Sequence, residues 1–129
     1  MKEYIAYRGR VFQIEWYFTS YGKSQAFEYA ESLSRSDKAK FGNLLRLMGD
    51  IGKIRDKAKF RSEGNQIFAF KPQPYRFLCF FFEGGKLIIT NGFVKKQDKL
   101  PKKEKERALR NMKDYKQRVQ EGKYYEKEN

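Results

Sequence analysis

The chain has 129 residues, no histidine and one cysteine, with 29 lysines and arginines against 16 aspartates and glutamates. This length fits one domain with a buried core, and the formal net charge of +13 favours an anionic partner, either a nucleic acid or an acidic protein. The lack of histidine excludes Ser-His and Cys-His nucleophile pairs, and it removes the most common zinc ligand.

Cysteine usage and the apolar runs indicate the compartment. Cys79 has no second cysteine to pair with, so a reducing compartment is expected. The longest apolar run, residues 77–82, is far shorter than the roughly 20 residues of a membrane span. Residues 1–10 hold no apolar segment of signal-peptide length. We therefore expect a cytoplasmic protein with no membrane partner.

The first part of the chain predicts two strands and then a helical hairpin. Residues 4–7 are a candidate edge strand, and residues 11–18 predict a strand with one exposed and one buried end. Ser24 is placed to cap a short helix, and a second helix is expected to begin near Ser36. The apolar stripe of this second helix comprises Ala39, Leu44, Leu47, Met48 and Ile51.

The middle of the chain predicts a loop followed by three antiparallel strands. Residues 53–64 are basic and contain few apolar side chains, so a connector is expected there. The strands are expected at residues 67–71, 75–82 and 87–94. Two prolines mark the first turn, and the Gly84-Gly85 pair marks the second because both glycines permit positive φ.

The last part of the chain predicts one amphipathic helix, with Pro101 in its first turn and Gly122 at its end. Its apolar stripe comprises Ala108, Leu109, Met112, Tyr115 and Val119. The element order predicts an α+β domain over residues 1–120, with a helical layer on one face of the sheet. Residues 121–129 are expected to form a polar, frayed tail.

Positive charge is concentrated after the last predicted strand. Residues 95–118 hold eleven basic and four acidic side chains. The densest patch comprises Lys95, Lys96, Lys99, Lys102 and Lys103. Such a patch binds a phosphate backbone by releasing counterions. The alternative is an ordinary solvated start of the last helix.

Arg76 interrupts an otherwise aromatic strand, and a guanidinium near a core needs a partner or a cleft. Lys71 lies across the short proline turn, so the two cations are expected to be close together. A phosphate would explain that proximity. The alternative is an ion pair between Arg76 and a local carboxylate, either Glu83 or Glu63.

Three segments together resemble a known family. They are the aromatic strand at residues 75–82 with its Gly-Gly bend, the Asn-Gly-Phe-Val-Lys-Lys segment at 91–96, and the Leu-Pro-Lys-Lys-Glu segment at 100–104. This pattern is similar to the HigB-like, phage-derived branch of the RelE/ParE toxin superfamily. The resemblance implies a RelE-like antiparallel sheet, with an N-terminal helical hairpin packed on one face and a C-terminal helix.

The resemblance also implies an activity and a set of partners. Relatives of this kind are toxins of type II toxin-antitoxin systems that cut messenger RNA, commonly on the ribosome, by attack of the ribose 2′-hydroxyl without a metal or cofactor. The implied catalytic residues are Lys71, Arg76, Lys95 and Lys96. Further RNA contacts are expected from Lys57, Lys59, Arg61, Lys99, Lys102 and Lys103. The expected inhibitor is a small acidic or helix-turn-helix antitoxin.

Two departures from the family pattern leave the mechanism open. Asn91 stands where many relatives have histidine, and Leu100 replaces the threonine before the proline, so the general base is not identified and the helix cap is weaker. Two other functions therefore remain alternatives. One is a ParE-like inhibitor that binds DNA gyrase, and the other is a non-catalytic RNA-binding module.

Overall fold

The computed structural model describes residues 4–125, which fold into six strands and three helices. In chain order these are β1 (Ile5–Arg8), β2 (Gln13–Trp16), α1 (Gln25–Glu31), α2 (Arg35–Ile51), β3 (Phe60–Gly64), β4 (Ile67–Phe70), β5 (Tyr75–Phe82), β6 (Lys86–Val94) and α3 (Lys102–Gln120). The α+β class is confirmed. Within this part of the chain, no helix combines the length and apolar character needed to cross a membrane.

The strands form one mixed sheet in the order β1-β2-β6-β5-β4-β3. β2 runs parallel to β6, whereas the other neighbouring pairs are antiparallel. The prediction of a purely antiparallel sheet is therefore wrong at β2. Two helices and three strands separate β2 from β6 in the chain, so no tight turn forces them to run in opposite directions.

β5 and β6 form the centre of the sheet. β5 has the predicted bounds, and its central residues are buried, as predicted for a strand covered on both faces. The turn to β6 has positive φ at Gly84 (78°) and Gly85 (71°), a conformation that glycine adopts without steric cost. This hairpin is confirmed.

Alternate residues of β5 contact two separate helical layers. Phe77 and Cys79 pack with α1 and α2 on the face that we call the hairpin face, whereas Leu78 and Phe80 pack with α3 on the α3 face. This is the period-2 alternation of a strand. The helical hairpin therefore lies on one face of the sheet, as expected, and α3 covers the opposite face.

β3 occupies an edge of the sheet, within the 53–64 segment for which the sequence predicts a loop. That prediction is wrong for Phe60–Gly64, where Arg61 pairs with Ala69 of β4. Phe60 is buried, but the following residues are polar or glycine and are partly or fully exposed. The strand therefore has no apolar alternation, and its backbone pairing with β4 holds it in place.

The buried stripe of α2 consists of Phe41, Leu44, Leu45, Met48 and Gly49. The predicted stripe is correct at Leu44 and Met48, but Ile51 is 66% exposed, and Leu47 and Ala39 are also exposed. The observed buried stripe is rotated slightly about the helix axis relative to the predicted one. In this orientation the ring of Phe41 stacks on Phe77, with 4.0 Å between their centroids.

The end of the described chain packs against the sheet. Tyr124 is only 2% exposed, and its hydroxyl accepts a hydrogen bond from the backbone N–H of Phe18 (2.9 Å). The hydroxyl of Tyr125 donates to the carboxylate of Glu15 (2.7 Å). The prediction of a frayed tail is therefore wrong at these two tyrosines, because their rings bury apolar surface. Residues 126–129 lie outside the described part.

Candidate functional site

Three of the predicted catalytic side chains meet at one end of the sheet, on the α3 face. Lys71 follows Ala69 by two positions, Arg76 precedes Leu78 by two, and Lys95 follows Phe93 by two. Because Ala69, Leu78 and Phe93 all pack on the α3 face, the period-2 alternation directs the three cations to that side. β5 and β6 are in register there, with Arg76 opposite Phe93.

These cations line a hollow of about 250 Å³ beside the start of α3, which we call the cationic hollow. Its charged lining residues are Arg61, Glu63, Lys71, Arg76, Lys95, Asp98 and Lys99. Five cations thus face two carboxylates. The excess positive charge is arranged around a space that is open to solvent on one side, which suits a bound anion.

Arg76 is the most deeply placed of these cations, at 7% exposed. Its Nη1 donates to the backbone oxygen of Tyr75 (2.8 Å) and to Oε1 of Gln73 (3.3 Å), both of them neutral acceptors. Burial lowers the pKa of Arg76, while the negative charge of Glu63 opposes the shift. A guanidinium stays ionised even so, and it remains a fixed positive charge in the hollow.

The two carboxylates considered as partners of Arg76 lie in different places. Glu63 lines the same hollow, but its ion pair is with Arg61, at 3.3 Å between Nη2 and Oε2. Glu83 follows the far end of β5 and lines a separate pocket beside Phe82. Glu63 is therefore close enough for its negative charge to raise the pKa of Arg76, whereas Glu83 lies at the other end of β5.

Lys71 is held beside Arg76 by the backbone of the segment before β3. Its Nζ donates to the carbonyl of Lys57 (3.1 Å), and its backbone N–H donates to the carbonyl of Lys59 (2.8 Å). Burial lowers the pKa of Lys71, and the positive charges of Arg61 and Arg76 lower it further. The ammonium is thus held among like charges, which favours binding of an anion or release of a proton.

Lys95 and Lys96, each of which the family resemblance implies as a source of a further cation or proton, lie in different hollows. The backbone N–H of Lys95 donates to the carbonyl of Pro74 (2.8 Å), and its Nζ lies 3.7 Å from Oδ1 of Asp98. Lys96 lines a second space of about 520 Å³, which we call the α1 hollow because Gln25 and Tyr29 of α1 form part of it. Successive residues near a strand end point to opposite faces, which explains the separation.

The predicted RNA-contact residues surround the cationic hollow to different degrees. Arg61 and Lys99 line it directly. The side chains of Lys57 and Lys59 are exposed beside Lys71, to which their backbone carbonyls are bonded. At the start of α3 the remaining two, Lys102 and Lys103, are exposed. The structure therefore places two of the six in the hollow and four on nearby surface.

Glu63 belongs to the site, although the sequence indicates it only as a possible partner of Arg76. Its signal in the sequence is weak, because the polar residues of β3 show no alternation that would assign its side chain to a face. Asn91 is fully buried, and its amide donates to Oε1 of Glu104 (2.9 Å). It therefore supports the start of α3 and lies outside the cationic hollow.

Residues 4–125 hold no group of three or more acidic or cysteine side chains placed to bind a metal ion.

Comparison with known proteins places the chain in a family. No curated protein matches it. A family model described as phage derived protein Gp49-like (DUF891) matches residues 28–113, which is more than half of the chain and includes α2 and β3 to β6. This family is associated with toxins of toxin-antitoxin systems. The chain belongs to the phage-derived Gp49-like (DUF891) family.

Proposed function

We propose that this protein is the toxin of a type II toxin-antitoxin pair, of the HigB-like RelE/ParE kind, and that it cleaves messenger RNA without a metal ion. Family membership supports the toxin role. The observation that carries the enzymatic role is the convergence of Lys71, Arg76 and Lys95 on one hollow. Their charges suit a phosphodiester, whose reaction develops additional negative charge on the oxygens bound to phosphorus.

The proposed reaction is an internal transfer. The ribose 2′-hydroxyl oxygen attacks the adjacent phosphorus, the bond from phosphorus to the 5′-oxygen breaks, and the products are a 2′,3′-cyclic phosphate and a 5′-hydroxyl. Fixed cations in a partly buried site stabilise the crowded phosphorane-like transition state. Arg76 is suited to bind two phosphate oxygens through its planar guanidinium, and Lys71 and Lys95 add point charges.

Two proton transfers complete this scheme. The 2′-hydroxyl must lose a proton, and Glu63 offers the partly buried carboxylate of the hollow as an acceptor. The departing 5′-oxygen must gain a proton, and Lys71 is the better donor because its pKa is lowered by burial and by neighbouring cations. No histidine is needed for either transfer.

The surroundings of the hollow fit RNA as the substrate. Arg61 and Lys99 extend the positive lining, while Lys57, Lys59, Lys102 and Lys103 add exposed positive charge nearby. We place the protein in the cytoplasm, where messenger RNA and ribosomes are available. An antitoxin with an acidic segment would inhibit it by covering the same cations.

The test measures RNA cleavage by the purified protein in the presence of a metal chelator, with and without translating ribosomes. The unsubstituted protein is expected to produce 5′-hydroxyl ends, and Arg76→Gln is expected to reduce cleavage by about 100-fold or more, the scale of losing one electrostatic contact to a transition state. Lys53→Ala removes an exposed lysine just after α2 and serves as the matched control. Thermal unfolding checks that both variants are folded.

The alternatives predict other results. Inhibition of gyrase supercoiling without RNA cleavage would favour the ParE-like function. RNA binding with no cleavage, on or off the ribosome, would favour a binding module. Either result would overturn the proposed nuclease function.

A further inference from the structure

The α1 hollow lies directly beside the cationic hollow, and the two share a wall. Phe93, Gln97 and Pro101 line both spaces. Lys95 enters one and Lys96 the other, although their Cα atoms are only about 3.8 Å apart along the chain. A ligand that fills the cationic hollow with its phosphate therefore has a second binding space within reach of the same nucleotide.

The lining of the α1 hollow differs in chemistry from that of the cationic hollow. Tyr29 and Phe93 provide aromatic surface, and the exposed side chain of Lys96 and the carboxylate of Glu104 complete the polar part of the lining. One donor and one acceptor beside aromatic rings suit a flat heterocycle with polar edges. They suit a phosphate less well, because the single lysine is accompanied by a carboxylate.

The walls of this hollow are held in place by hydrogen bonds. The side-chain amide of Gln25 donates to the carbonyl of Gly92 and accepts from its N–H, both at 2.7 Å. Glu104 is fixed by the amide of Asn91 (2.9 Å). The ring of Tyr29 rests against Phe77, with 5.9 Å between centroids. The hollow is thus preorganised, a condition that favours selective binding.

We propose that the α1 hollow binds the nucleobase adjacent to the scissile phosphate, with Tyr29 as the stacking surface and Lys96 as the reader of the base edge. This inference rests on the proposed nuclease function and adds its sequence selectivity. Guanine fits best, because its O6 and N7 atoms accept hydrogen bonds from a lysine. Its ring N–H and amino groups match the second oxygen of the Glu104 carboxylate, because Oε1 already accepts from Asn91 and lies 3.7 Å from Nη1 of Arg107.

The experiment compares cleavage maps. A pool of RNA with random sequence is incubated with the protein, with and without translating ribosomes, and the 5′-hydroxyl ends are sequenced. The unsubstituted protein is expected to enrich guanine about fivefold at one position next to the cut, the lower end for a good side-chain contact to a base. Lys96→Glu replaces a donor by an acceptor, so it is expected to move the enrichment to adenine or cytosine.

Two further variants separate base recognition from a general loss of folding or activity. Tyr29→Ala removes the stacking ring and is expected to reduce the guanine enrichment, whereas Lys53→Ala alters an exposed lysine outside both hollows and is expected to keep the map unchanged. Thermal unfolding checks each protein. Cleavage without enrichment, or the same map for Lys96→Glu, overturns this inference alone. No cleavage by the unsubstituted protein overturns the proposed function and this inference with it.

Discussion

Lys95 and Lys96 are neighbours in the chain, yet they line two different hollows that share Phe93, Gln97 and Pro101 as a common wall. Lys95 lines the cationic hollow with Arg76 and Lys71, and Lys96 lines the α1 hollow with Tyr29. A doublet of lysines that looks like one charge cluster in the sequence therefore has two separate surroundings. The difference divides phosphate binding from base recognition in the proposed function.

Glu63→Gln tests the proton acceptor. The amide still accepts a hydrogen bond from Arg61, but it cannot take a proton, so kcat for RNA cleavage is expected to fall by about 100-fold or more. Single-turnover kinetics measure this change. Asp98→Asn is the matched control, since Asp98 lines the same hollow but is highly exposed. Equal rates for Glu63→Gln and the unsubstituted protein would rule Glu63 out as the base.

The pH dependence of RNA binding reports on Lys71. Its folded pKa lies below the usual 10.5, so its charge is lost at a lower pH than that of an exposed lysine. RNA affinity is expected to weaken as pH rises through this lowered pKa, and Lys71→Arg is expected to flatten the profile because arginine stays charged. Fluorescence anisotropy measures both profiles. Identical profiles would contradict a contact between Lys71 and the phosphate.

Without RNA, the same pKa has the opposite consequence for stability. Between the folded pKa of Lys71 and 10.5, the unfolded chain binds more protons at this site than the folded one. The contribution of Lys71 to folding stability therefore becomes more favourable as pH rises through that window. This sign distinguishes burial of the ammonium and repulsion by neighbouring cations from a stabilising ion pair.

Gly92→Ala tests the packing that supports the α1 hollow. A Cβ atom at this position would lie 2.5 Å from Cε1 of Phe77 and 3.1 Å from the ring of Tyr29. The free energy of unfolding is expected to fall by about 1–3 kcal/mol, as for other overpacked cores. Gly42→Ala is the control, because a Cβ there meets nothing within 4 Å and alanine favours a helix by about 0.5–1 kcal/mol. Urea denaturation measures both, and equal effects would contradict the crowding.

Tyr124→Ala tests whether the end of the described chain is part of the fold. Loss of this buried ring is expected to lower the free energy of unfolding by about 3 kcal/mol or more. The backbone N–H of Phe18 would also lose its acceptor. Tyr21→Ala serves as the control because Tyr21 is 90% exposed. If both variants unfold at the same urea concentration, the segment contributes little to stability.

The strands of the central sheet and the convergence of Lys71 and Arg76 could be predicted from the sequence. Apolar β5 and β6 are marked by composition, and the four-residue connection at 71–74, which contains two prolines, keeps the end of β4 close to the start of β5. Once strand bounds are known, the period of two assigns each side chain to a face. Continuing that period beyond the end of β6 also separates Lys96 from Lys95.

Other features depend on contacts between distant segments. β3 is polar after Phe60, so only its pairing with β4 identifies it as a strand. The parallel pairing of β2 with β6 and the burial of Tyr124 likewise need the assembled sheet. The position of Glu63 in the site also depends on this pairing, because the register of β3 decides which face its side chain occupies.

The most direct test of the central claim is the salt dependence of binding to an uncleavable RNA, with a 2′-deoxy substitution at the mapped cleavage position. If Lys71, Arg76 and Lys95 contact this phosphodiester, then Lys71→Ala, Arg76→Gln and Lys95→Ala are each expected to weaken binding. Each should also reduce the slope of log K against log salt by about 0.7, the value for one phosphate contact on a single strand. Slopes equal to that of Lys53→Ala in all three variants would contradict the claim that these cations bind the phosphodiester.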